Sequence, residues 1–266
     1  MIIIKLLHRH TFINVRHVIP FVLLGLVLFG GCSSKPYRDV PDLEARLQSA
    51  KSITLLPPKV DVYEVSTGGI DEKIDEWSKS GTENVTKALK EELEDTSGFY
   101  LKIVQPESLS VSASENLDET QALYEALNSS IALHMYGDEK ERFSDRMDNF
   151  QYSLGSEVND IVPQSDLLLL VRGVDFRAST GRGLVKAGLA VIGALFGYVS
   201  VPEGEPTLLS LSVVEAKTGD ILWYNLLVRR GAADFREYKS SLSLVKKLFK
   251  KFPIPHIAKK SAQSDE

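Results

Sequence analysis

Asp166-Leu167-Leu168-Leu169-Leu170-Val171-Arg172-Gly173-Val174-Asp175-Phe176 carries apolar side chains on consecutive positions rather than alternate ones. Successive side chains of a strand point to opposite faces, so a strand of this composition is covered on both sides. A sheet with helices on its faces is the architecture that supplies such cover.

The chain on either side agrees with that reading. Downstream, Thr207 to Glu215 and Ile221 to Arg229 read as two strands. Between them Ala216-Lys217-Thr218-Gly219-Asp220 is a hairpin connection, with glycine where a positive φ is required. Upstream, Ile53-Thr54-Leu55-Leu56 is a short strand stopped by Pro57-Pro58, because proline lacks the donor that a ladder needs. Val60 to Val65 continues in extended form up to Gly68-Gly69, and Tyr100 to Val104 is a further strand followed by a loop from Gln105 to Asn116. Helical period marks Ile70, Ile74, Trp77, Gly81, Val85, Leu89 and Leu93, a stripe ending near Gly98. It also marks Leu117, Leu123, Leu127 and Ile131, then Phe143, Met147, Phe150, Leu154 and Val158, and last Tyr238, Leu242, Val245 and Phe249. The expected fold is α/β, a single domain with a mixed sheet flanked by helices, over residues 52–252.

The N-terminus has a separate logic. Lys5, Arg9 and Arg16 stand without any acidic residue before the apolar run Phe21 to Phe29, and Leu28-Phe29-Gly30-Gly31-Cys32 ends in the only cysteine of the chain. The layout resembles a bacterial lipoprotein signal peptide. That resemblance implies removal of residues 1–31, a diacylglyceryl thioether and an acylated amine on Cys32, and a tether over residues 32–51. Stable anchoring needs more than one acyl chain, which triacylation supplies. An uncleaved N-terminal membrane helix is the competing reading, but the apolar run is far shorter than the ~20 residues of a spanning helix. Ser33 in place of an aspartate implies sorting to the outer membrane, with the domain on its periplasmic face.

Charge and histidine content exclude several classes. Without Lys5, Arg9 and Arg16 there are 28 basic against 36 acidic side chains, so the mature formal charge is about −8, which is no nucleic-acid footprint. With Cys32 acylated no intrachain disulfide can form. Past residue 31 the histidines are His134 and His256, far apart in sequence, the second within the polar tail 253–266. No metal-ligand spacing is present, and no cofactor is implied beyond the covalent lipid. Gly181-Arg182-Gly183 lacks the third glycine of a nucleotide loop and reads as a turn. Lys246, Lys247, Lys250 and Lys251 suit either a solvated helix end or an anionic partner. Trp77 and Trp223 read as core anchors.

The early strand Ile53 to Pro58, the long helix, the buried strand and the phrase Leu211-Ser212-Val213-Val214-Glu215-Ala216-Lys217-Thr218-Gly219-Asp220-Ile221-Leu222-Trp223 resemble the envelope lipoproteins related to the N-terminal domain of TolB, a group that includes CsgG, LpoB and PelC. The chain is also similar to a set of proteobacterial lipoproteins that carry Leu-Leu-Pro-Pro early and Tyr-Ser-Leu-Gly, here Tyr152-Ser153-Leu154-Gly155, before the buried strand. The resemblance implies a non-enzymatic binding or assembly accessory whose partner is an envelope protein or a second copy of the chain. An oligomeric subunit of an export apparatus and a periplasmic hydrolase of cell-wall or polysaccharide substrates remain as alternatives.

The segment Leu184 to Val201 sets the chain apart from that group, being almost wholly apolar with Ala190 paired to Ala194 and Gly193 to Gly197. Four-residue spacing puts each pair on one helical face, where small side chains let another backbone approach. Core, self-association surface and contact with the membrane leaflet are the three readings. If the segment mediates assembly, replacing Gly193 and Gly197 with leucine reduces oligomer size on a sizing column while leaving the circular dichroism intact; an unchanged oligomer removes the idea.

Overall fold

The computed structural model describes residues 36–65, 71–96, 98–136, 145, 149–178, 205–231 and 233–253. Eight strands form one mixed sheet: β1 Tyr37–Asp39, β2 Ser52–Leu55, β3 Lys59–Val65, β4 Asp71–Lys73, β5 Tyr100–Ile103, β6 Leu167–Ala178, β7 Pro206–Glu215 and β8 Ile221–Arg230. The helices are α1 Leu43–Ser49, α2 Asp75–Thr96, α3 Val111–Tyr136 and α4 Tyr238–Phe249. The order across the sheet is β1-β8-β7-β6-β2-β5, and β3 pairs with β6 and β4. Thus β6 runs parallel to β2 through its first residues and parallel to β3 through its last, with β7 antiparallel along its other edge.

The layering follows from the quoted run. Leu167, Leu169 and Val171 enter the core shared with α1, α2 and α4, whereas Leu168, Leu170, Val174 and Phe176 enter the core beneath α3. All five residues from Leu167 to Val171 are buried. Gly81 lets α2 lie close to the sheet, for a methyl group there would stand 3.1 Å from Val60 and 3.2 Å from Phe235. Trp223 is wholly buried between the rings of Phe249 and Phe252, with Tyr37 stacked at 5.9 Å, as a core anchor should be.

Four expectations differ from the structure. The tether expected over 32–51 is folded from Tyr37 onward: β1 pairs with β8, and α1 buries Leu43 and Leu47 in the main core. Arg46 of this helix donates to Asp42, Glu215 and Asp220, which pins it to the β7–β8 hairpin. The first long helix begins at Asp75, because Asp71–Lys73 pairs with β3 and the Ile74 amide donates to the Val62 carbonyl at 2.9 Å. The loop expected from Gln105 to Asn116 is a 3-10 turn at Pro106–Ser108 and then the first turns of α3.

The third expected helix is the largest departure. Residues 149–155 are extended or irregular and Ser156–Asp160 is a single 3-10 turn, while Phe143 and Met147 lie outside the described residues. The apolar period arises from a strap laid across the end of the sheet, which buries Phe150, Tyr152, Leu154 and Val158. Its backbone is bound to the β7–β8 turn: the Leu154 amide donates to Gly219 and the Ile221 amide to Tyr152, both at 2.8 Å. The two phrases Tyr152-Ser153-Leu154-Gly155 and Lys217-Thr218-Gly219-Asp220 therefore lie in contact.

Gly219 has φ +76°, and a Cβ there would stand 2.0 Å from the Gly155 carbonyl oxygen. Gly219→Ala therefore destabilises by about 2 kcal/mol or more, from positive φ and the displaced strap together. Urea unfolding checks this, and a cost below about 0.5 kcal/mol, the scale of an ordinary surface change, would show the contact to be unimportant.

Candidate functional site

The residues that the sequence singles out for function fall largely outside the described part of the chain. Cys32, Ala190, Gly193, Ala194, Gly197, Gly181-Arg182-Gly183 and His256 all lie there. His134 is described, half-buried near the end of α3, where its Nδ1 is 2.8 Å from the Tyr152 hydroxyl. That bond ties α3 to the strap. Trp77 is partly buried beneath the Arg236 guanidinium, 4.4 Å from its ring centroid. Lys246 lies 3.5 Å from Glu91 of α2, and Lys247, Lys250 and Lys251 belong to the end of α4 and the residues just beyond it.

What the structure brings together instead is charge inside the sheet. Arg172 interrupts the apolar run of β6 on the side facing α3, with 2% of its side chain exposed. Its guanidinium pairs with Asp61 of β3 and donates to the carbonyls of Lys59 at 3.1 Å and Gly173 at 2.6 Å. Its Nε stands 3.2 Å from the Glu125 carboxylate, which α3 lowers onto it. The same Glu125 oxygen meets Lys59 Nζ at 2.7 Å, and the second Asp61 oxygen meets Lys73 Nζ at 2.7 Å. Two carboxylates thus converge on one buried arginine, with two half-exposed lysines at the rim.

Leu56, Pro57, Lys59, Gln121, Tyr124, Glu125, Leu170, Val171 and Arg172 line a shallow cleft of about 270 Å³, counting the part open to solvent. Burial pushes the Tyr124 phenol up to about 12, and its oxygen accepts from Ser212 at 3.1 Å. Beside it the Tyr224 hydroxyl donates to Asn128 at 2.9 Å. The floor beneath α3 is therefore a polar layer in which Tyr124, Ser212, Tyr224 and Asn128 bond to one another in pairs.

Electrostatics assign the cleft its chemistry. Burial raises the Asp61 carboxyl, but Arg172 and Lys73 together outweigh it and hold the group below the usual carboxylate range. Lys73 is raised in turn, chiefly by its hydrogen bond to Asp61. A carboxylate held ionised cannot serve as a proton donor near neutral pH, and a tyrosine held protonated is no base. A second buried pair, Asp175 with Arg177, is joined by Thr207 at 2.7 Å, the Phe235 amide at 3.1 Å and the Ala233 carbonyl. Glu205 closes it, accepting from Arg177 at 3.3 Å and from the Ala178 amide at 3.0 Å. Among the described residues no group of three His, Cys, Asp or Glu side chains is placed to hold a metal ion.

Sequence reading missed Arg172, Asp175 and Arg177, although a signal existed: three charges within an otherwise apolar strand must find partners inside. Nothing in the sequence pointed to Glu125, which occupies one more acidic position on a polar-looking helix.

No protein-family model matches the chain, and no curated protein matches it. Among solved structures it is similar to the PelC dodecamer from Paraburkholderia phytofirmans, with 11% identity, 80% of this chain and 91% of that one covered, and a TM-score of 0.33. The C-terminal domain of LpoB from Salmonella enterica matches with 14% identity, 72% and 94% coverage and a TM-score of 0.25. Lipoprotein GNA1162 from Neisseria meningitidis matches with 12% identity, 75% and 93% coverage and a TM-score of 0.27.

Asp61→Asn leaves Arg172 buried beside one carboxylate fewer and costs about 3–5 kcal/mol near neutral pH. Because the folded carboxyl titrates below its unfolded value, this stability is complete above pH ~4 and disappears as the pH falls through the folded value. Urea melts of both proteins from pH 7 to pH 3 should therefore show a gap that narrows toward the acid end; a constant gap would contradict the pairing.

Proposed function

We propose that the chain is an outer-membrane lipoprotein, held by acyl groups on Cys32, whose periplasmic α/β domain works as a non-enzymatic binding or assembly accessory in an envelope process. The observation that carries the reading is the stretch Leu28-Phe29-Gly30-Gly31-Cys32 after a short apolar run and three basic residues. No helix among the described residues is long and apolar enough to cross a membrane.

The state of the charged groups supports binding over catalysis. Asp61, Glu125 and Arg172 are spent on one another, Asp175 and Arg177 likewise, and His134 on Tyr152. Each holds elements of the fold together. Hydrolysis would instead need an accessible carboxyl kept protonated or a histidine set beside a nucleophile; burial raises the Asp175 carboxyl, but that group is wholly buried among Arg177, Thr207 and the Phe235 amide. Self-association through the Ala190 to Gly197 stretch is the form in which the accessory would serve an export apparatus.

The test is crosslinking in cells, followed by purification of the lipidated protein and identification of what accompanies it. The expected result is one or more envelope proteins, or a ladder of the chain's own multiples, recovered with the wild type and lost with Cys32→Ser. A pure monomer from both proteins contradicts the assembly role.

A further inference from the structure

Few residues separate the proposed anchor Cys32 from the first strand in the sequence. β1 starts at Tyr37, and the Pro36 carbonyl already accepts from the Tyr136 hydroxyl at 3.1 Å. Four residues of fully extended chain from Cys32 to Pro36 reach at most about 14 Å. On a leash that short, the edge around Pro36 stays within range of the lipid headgroups while the far side of the domain does not.

That edge carries three arginines beside two acidic residues, Asp39 of β1 and Glu205, whose carbonyl accepts from the Gly231 amide at 2.9 Å. β1 is antiparallel to β8, with Tyr37 opposite Asn225 and Asp39 opposite Trp223, so β1 enters the sheet from the side at which β8 finishes. β8 finishes in Arg229 and Arg230, both exposed. Neighbouring residues of a strand point to opposite faces, so the two guanidinium groups straddle the sheet edge. Arg38 adds a third cation on β1, 5.4 Å from the centre of the Tyr136 ring, where it donates to the Met135 carbonyl at 3.3 Å. The β3–β4 edge is mixed in charge: Glu64 faces Glu72 across the pair, with the half-exposed Lys59 and Lys73 on the same two strands, three strand spacings of about 4.8 Å beyond β8 at its nearest strand.

We infer that the β1–β8 edge is the face this domain turns to the bilayer, with Arg229 and Arg230 seated on lipid phosphates; the inference rests on acylation of Cys32. A planar guanidinium binds phosphate through two parallel N–H donors, and the short leash keeps this edge of the domain nearer the headgroups than its far side. The mature chain as a whole is acidic, with 36 Asp and Glu against 28 Lys and Arg past residue 31. An anionic surface therefore repels much of the domain, and Arg229 and Arg230 offer it unlike charge at the end of the sheet nearest the anchor.

The test uses the lipidated full-length product in vesicles of phosphatidylethanolamine and phosphatidylglycerol. With Cys32 acylated, Arg230→Cys or Lys217→Cys supplies the single free thiol for a fluorophore. These positions lie at opposite ends of the β7–β8 hairpin, about 30 Å apart at ~3.4 Å per residue. A nitroxide on the lipid headgroup should quench the label at position 230 severalfold more than the label at 217. Equal quenching at both sites overturns the assigned face. Adding Arg229→Glu to the Arg230→Cys protein should lower the quenching at 230, and unchanged quenching overturns the arginine contact. Flotation of the same vesicles separates the two levels of the argument: protein that stays at the bottom of the gradient overturns the anchoring itself, whereas floating protein with uniform quenching overturns only the orientation.

Discussion

Burial of β6 on both faces is the constraint from which the rest of the structure follows. A strand whose successive side chains all need cover requires a helical layer above and another below, and it requires neighbours along both of its edges. α1, α2 and α4 supply one layer, α3 and the strap from Phe150 to Ile161 the other, and β2, β3 and β7 supply the edges. Twelve residues long, β6 spans two partners in succession on one side, which is why β2 and β3 can branch from it.

The same burial makes charge within β6 expensive. Removing an ion from water costs several kcal/mol, and only a close partner with further hydrogen bonds offsets it. Arg172 finds Asp61, Glu125 and two carbonyls; Asp175 and Arg177 find each other, Thr207 and the 233–235 loop. These networks fix the position of α3 on one face and the approach to α4 on the other. They are geometric registers more than sources of net stability.

Much of this was legible in the sequence where one element decides its own environment. The Leu167 to Val171 run announced a doubly covered strand, Thr218-Gly219 announced a turn with positive φ, and the Tyr238 to Phe249 period announced the last helix; all three are present. Legibility failed where two segments decide together. Asp71–Lys73 looked helical until β3 offered it a ladder, and Leu154 and Val158 kept a helical spacing while lying in an irregular strap held by Gly219. Tyr37 and Leu43 looked like tether because their partners, Trp223 and the core under α2, are remote in sequence. The charge cluster was hidden for the same reason: Asp61, Glu125 and Arg172 come from three elements, and their meeting is a property of topology.

Folding of the chain from Tyr37 onward changes the meaning of Cys32. Cys32 precedes Pro36 by only four positions, so acylation there would hold the domain close to the membrane. The intact mass of the protein purified from the envelope tests this most directly. The account predicts a mature chain beginning at Cys32 and carrying three acyl groups; a mass that retains residues 1–31, or an unmodified thiol at Cys32, would contradict it.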